Sequence, residues 1–96
     1  MSSDSEKIVR ITLNGSGLPV PDQDPVRVKK DSQKIRWCSE FEFQITIEGY
    51  DDLKYGSGSG DCEYKCTTGT FHEVTTYKYS ITANGQTNDP EVDVFP

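Results

Sequence analysis

Ile35-Arg36-Trp37-Cys38-Ser39-Glu40-Phe41-Glu42-Phe43-Gln44-Ile45-Thr46-Ile47 is the stretch whose reading decides the fold class. Its odd positions are apolar except for Ser39, and its even positions carry Arg, Glu, Gln and Thr with Cys38 between them. Side chains alternate across a strand with a period of two, so this pattern describes strands with one face buried and the other wet. Thirteen residues are long for a single strand. A turn, bend or bulge is therefore expected at Ser39-Glu40.

The same alternation recurs on both sides. Lys7 to Leu13 reads as a first strand with Val9, Ile11 and Leu13 on one face. Asn14 to Pro25 is rich in Gly, Pro and Asp and reads as an irregular connection, with Val20 turned inward. Val26 to Lys30 forms a second strand, and Asp31-Ser32-Gln33 turns it into the opening stretch. Downstream, Cys62 to Cys66 and Phe71 to Val74 read as short strands. Tyr77, Tyr79, Ile81 and Ala83 alternate with Lys78, Ser80 and Thr82 up to Asn84-Gly85, a dipeptide suited to a tight turn. Glu91 to Phe95 closes the sheet, and no segment has the 3.6-residue apolar period of a helix.

These segments predict an all-β Greek-key sandwich of about seven or eight strands, cupredoxin-like or immunoglobulin-like in layout. Residues 1–6 read as a polar tail and 7–96 as one domain. The expected inner layer holds Val9, Ile11, Val28, Ile35, Trp37, Phe43, Ile45, Tyr79, Ile81 and Val92.

Composition narrows the function. With 96 residues the chain hides only about 60 to 65% of its unfolded surface. The 32% of hydrophobic residues must then fill a thin two-layer core. A net charge of -6 disfavours nucleic acid and anionic lipid as general partners, because both demand a positive surface. The one dense basic run, Arg27, Lys29, Lys30, Lys34 and Arg36, reads as a solvated strand face and turn, with an anion-binding strip as its alternative. No apolar stretch is long enough to span a bilayer, and Met1 to Lys7 lacks the apolar centre of a signal peptide. A cytoplasmic location is expected, and an exported chain with its signal removed would read the same.

Three cysteines, Cys38, Cys62 and Cys66, leave at least one thiol outside any internal disulfide. On one extended strand Cys62 and Cys66 would lie about 13 Å apart, beyond the ~7 Å that a disulfide bridges. Cys38 with either of them remains open.

The chemistry-bearing candidates are few. His72 is the single histidine, so a base-and-nucleophile pair has little to draw on and no catalytic residues are expected. Cys62, Cys66 and His72 form a weak alternative thiol or metal site, without the Cys-x-x-Cys spacing of a zinc knuckle. Asp51, Asp52 and Asp61 flank a Gly-Ser stretch but lack the alternating pattern of a calcium loop. Gly49 to Asp61 reads as the flexible functional loop of the chain. Tyr50, Asp51, Asp52, Tyr55 and Tyr64 are the candidate ligand-binding residues, since tyrosines offer an apolar face with a polar tip.

The segment Val26-x-Val28-Lys29-Lys30-Asp31-x-x-x-Ile35-x-Trp37 resembles the opening of cupredoxins, the blue-copper proteins. Tyr77-x-Tyr79 and Glu91-Val92-Asp93-Val94 are similar to that family's last two strands. The resemblance implies a copper site of two histidines, a cysteine and a weak methionine. At the alignable positions this chain has Phe43 and Gln44, Ile81 and Asn84, and its only methionine is Met1. The resemblance thus implies the fold without the copper, and no cofactor is expected. The leading expectation is a non-catalytic binding or interaction module for a protein partner. A carbohydrate or small-ligand binder using the tyrosines is its alternative.

Overall fold

In a computed structural model, described for residues 6–57 and 62–96, ten strands form two mixed sheets and no helix occurs among the described residues. The strands are β1 (Glu6–Leu13), β2 (Pro19–Pro21), β3 (Val26–Lys29), β4 (Lys34–Ser39), β5 (Gln44–Ile47), β6 (Leu53–Ser57), β7 (Tyr64–Thr68), β8 (Thr76–Ala83), β9 (Gln86–Asn88) and β10 (Glu91–Phe95). The first sheet runs β2-β1-β4-β7-β6 and the second β3-β10-β8-β5, with β9 pairing β8 beside β10. Two pairs are parallel, β1 with β4 and β3 with β10, and the rest are antiparallel. The protein is an all-β sandwich.

The alternating stretch is split between the two sheets. β4 ends at Ser39, whose hydroxyl accepts from the Phe41 N–H and donates to the Phe41 C=O, each at 2.9 Å. This closed local pair turns the chain across the sandwich, and Gln44 starts β5 in the opposite sheet. Alternation persists through the crossing because both strands face one core.

All ten residues expected in the inner layer are buried, and Val26, Ile47, Cys66, Phe71, Ala83 and Val94 join them. Trp37 sits at the centre with no exposed surface. Its Nε1 donates to the Tyr79 hydroxyl at 3.2 Å and the two rings lie 5.2 Å apart, so one side-chain pair ties β4 to β8 across the core. Asn84 and Gly85 both have positive φ, 54° and 73°, as the tight β8–β9 hairpin requires.

The strand count exceeds seven or eight because the short β2 and β9 are separate elements. Leu13 is 42% exposed, since β1 runs past the core at its end. Val20 pairs with Thr12 on the outer side of β2, and Pro19 takes the buried place. Phe71 to Val74 forms no strand, although Phe71 is fully buried. Part of the Gly49 to Asp61 stretch is the strand β6, paired with β7 from Leu53↔Thr68 to Ser57↔Tyr64; residues 58–61 lie outside the described residues. Of the expected tail, 1–5 also lie outside them, and Glu6 already pairs with Lys34 in β1.

Candidate binding site

β6 is the last strand of the first sheet and β5 the last strand of the second, on the same side of the sandwich. An edge strand carries backbone groups that need partners. Here Tyr55 of β6 supplies one: its hydroxyl accepts from the Ile45 N–H at 2.7 Å and donates to the Ile45 C=O at 3.0 Å. Burial pushes the Tyr55 hydroxyl above its usual range, against the effect of the Ile45 hydrogen bond. Tyr55 thus fastens the two edges together.

Beside this clasp lies a cleft of about 450 Å³ between β6, the start of β7 and the crossing from β4 to β5. Tyr55 and Tyr64, 53% and 41% exposed, flank it, and the buried Phe43 lines it. Glu42 and Glu63 bring carboxylates and Lys65 an ammonium. Tyr64 is placed by pairing with Ser39 and by the Glu63 N–H donating to the Ser39 C=O at 3.2 Å. A disulfide joins Cys38 to Cys62, with Cα atoms 5.4 Å apart, and anchors the chain just before these residues. A cleft of this size, with aromatic walls and a few charged groups, can hold a side chain of a partner or a small polar ligand.

The other candidate residues lie elsewhere. Tyr50 stacks on Phe71 with centroids 4.4 Å apart, meets Tyr77 edge-on, and donates to the Thr70 C=O at 3.3 Å. Burial, with Asp52 second, raises its hydroxyl pKa. This residue seals the core at the far end of β5. Asp51 and Asp52 are exposed next to it. Asp52 borders a separate cavity of about 310 Å³ with Glu6, Lys34, Lys54 and Thr67. The structure therefore brings Tyr55 and Tyr64 together and leaves Tyr50, Asp51 and Asp52 apart from them.

Cys62 is bonded to Cys38, and Cys66 is a free, fully buried thiol that burial pushes up to about 11 against a hydrogen bond with Tyr55. His72 is exposed and pairs with Asp31 at 2.5 Å. Among the described residues no group of three or more His, Cys, Asp or Glu is arranged to hold a metal ion. At the positions where the resemblance would place copper ligands, Ile81 is an apolar core residue and Asn84 occupies a turn, so these side chains do not fit the metal. No helix of the described residues is long and apolar enough to cross a membrane.

Glu42, Phe43, Glu63 and Lys65 were not signalled as site residues by any motif, because the cleft joins two loops of opposite sheets. Compared with protein-family models, with curated proteins and with solved structures, the chain matches none.

Proposed function

We propose that this chain is a non-catalytic protein-interaction module whose binding surface is the cleft at the β5–β6 edge. The observation that carries the reading is the pair Tyr55 and Tyr64, two large aromatic side chains left half in water around one cleft. Tyrosines at a partly desolvated pocket rimmed by charge are the residues on which protein partners anchor. A copper-free, cupredoxin-like Greek key is the finer form of the fold, favoured by the Val26 to Trp37 and Tyr77-x-Tyr79 motifs. The net charge of -6 keeps nucleic acid out of the proposed partners. The bonded Cys38 and Cys62 favour oxidising surroundings, as for an exported chain with its signal removed, over the cytoplasm expected where Met1 to Lys7 lacks a signal peptide's apolar centre.

A pull-down from the source cells with the wild-type chain and with Tyr64→Ala tests the reading. Tyr64 rather than Tyr55 is chosen because Tyr55 also holds the sandwich edge. The expected outcome is a protein retained by the wild type and lost by Y64A at equal folded content. Equal recovery on both overturns the proposal. The carbohydrate reading is favoured by one observation: Glu42, Gln44 and Glu63 place hydroxyl acceptors beside the two rings. Binding on a glycan array that disappears in Y64A would select it.

A further inference from the structure

Strands β1, β4, β7 and β6 turn their second set of side chains away from the core, and the register gathers cations there from four stretches of chain. Arg10 of β1, Lys34 and Arg36 of β4, Lys65 of β7 and Lys54 of β6 share this face with one carboxylate, Glu6. The whole chain has 10 Lys and Arg against 16 Asp and Glu, which leaves five cations and fifteen carboxylates for everything else. The strands of this face thus sum to a net charge of about +4, or about +3 with Asp52 at its margin, a field that the total charge of an acidic protein conceals.

The rows across the sheet are regular. Arg36, Thr67 and Lys54 are lateral neighbours, as are Arg10, Cys38 and Lys65, so each row separates two cations by one uncharged residue. Arg36 spends one Nη on Glu6 at 2.8 Å, and its Nε is buried with no hydrogen-bond partner among the described residues. Lys34, Lys54 and Thr67 border the 310 Å³ cavity with Glu6 and Asp52.

We propose that the outer face of the first sheet docks an extended acidic polypeptide segment of a partner protein. In an extended chain, carboxylates on alternate residues recur every ~6.6 to 7 Å, the same repeat that separates Lys34 from Arg36 along β4. The uncharged residues between them point away from the sheet, so that one face of the segment presents carboxylates alone to the cations. Glu6 and Asp52 at the cavity repel a uniformly dense polyanion and tolerate one whose charges are interrupted. The outward residues of β1, β4, β7 and β6 include no aromatic side chain on which nucleic-acid bases could stack. They present a single well-exposed large aliphatic, Ile8, too little to anchor in a bilayer. This surface is centred away from the tyrosine cleft, and among its cations on the described residues Lys65 is the one that also borders the cleft.

The test uses the full chain and a fluorescent peptide of roughly sixteen residues in which Glu and Thr alternate, with heparin, single-stranded DNA and phosphatidylserine vesicles as competing probes. The expected result is peptide binding at about 20 mM salt that weakens at least about tenfold by 150 mM. Lys34→Glu with Lys54→Glu should weaken it by a further factor of about ten or more, K34A/K54A less, and Y64A not at all. No binding at low salt overturns the proposal, as does binding indifferent to both double variants of Lys34 and Lys54, or tighter binding of heparin, DNA or vesicles than of the peptide. Loss of the cleft's partner in Y64A with the peptide still bound would confirm that the two surfaces act separately. If the peptide binds and the Y64A pull-down shows no difference, the cleft reading fails and this one stands.

Discussion

Tyr55 reaches from one sheet to the backbone of the other, and its hydroxyl serves both the N–H and the C=O of Ile45. Removing that hydroxyl while keeping the ring leaves the groups of a residue only 4% exposed to find other partners. Tyr55→Phe is expected to cost about 1 kcal/mol in urea unfolding. Tyr79→Phe acts deeper: the Trp37 indole N–H loses its acceptor where no water reaches, and a loss of about 2 kcal/mol is expected. Cys66 provides a chemical check at the same level. Fully buried and pushed up to about 11, its thiol should resist alkylation in the native chain at neutral pH and react once the chain is unfolded in denaturant. The burial of Trp37 and Tyr79 was legible from alternation alone, because period two assigns a face to every residue of a strand. The Tyr55 clasp was not, since alternation carries no information about which backbone a side chain meets across the sandwich. The same limit explains why the sequence groups Tyr50 with Tyr55 and Tyr64, whereas in the fold Tyr50 stacks on Phe71 away from them.

β4 and β5 show how one sequence pattern becomes two elements. The break at Ser39 was readable from length, and the Ser39 hydroxyl supplies its mechanism. β6 was hidden because Gly56 and the Gly-Ser residues beyond it carry loop composition, whereas five backbone pairings with β7 outweigh that weak propensity. Phe71 misleads in the opposite direction: its flanks suggested a strand, yet it is held in the core by its ring contacts with Tyr50 and Tyr77 rather than by a ladder. The disulfide between Cys38 and Cys62 closes a separation of 24 residues and pins the crossing from β4 to the hairpin of β6 and β7. A closed loop of that length restricts the unfolded chain, so Cys38→Ser with Cys62→Ser, or reduction, should lower stability by about 3 kcal/mol. Guanidinium titrations with and without reductant measure it. The cysteine count could not choose this partner for Cys38; the register does, by setting Cys66 on the inner face opposite Trp37 and leaving Cys38 on the outer one.

Charge and acidity are properties of the assembled chain. Burial raises the pKa of Cys66, Tyr50, Tyr55 and Tyr79 alike, so the native state holds four protons more tightly than the unfolded one. A thiol with an ordinary value of 9.0 ionises first in the unfolded chain, and unfolding then releases a proton. The stability contributed by these groups is therefore complete below about pH 9 and falls as pH rises through about 11, with the tyrosines adding to the loss above their ordinary 10.0. Urea unfolding followed from neutral pH upward should show a midpoint that declines only on the alkaline side. The basic sheet face was legible only in fragments: the run from Arg27 to Arg36 divides between the two sheets, and Arg10, Lys54 and Lys65 join its second half through pairing alone.

The parallel pairing of β3 with β10 also dictates when this protein can exist during its own synthesis. Val26 and Val28 find their neighbours in Val92 and Val94, so the second sheet lacks an inner strand until residues 91–95 have left the ribosome. Chains ending before Glu91 should remain open to protease, while chains that include residues 91–95 become resistant. β1, β2 and β4 can pair as soon as they are made, but β3 has no ladder partner until β10 follows it.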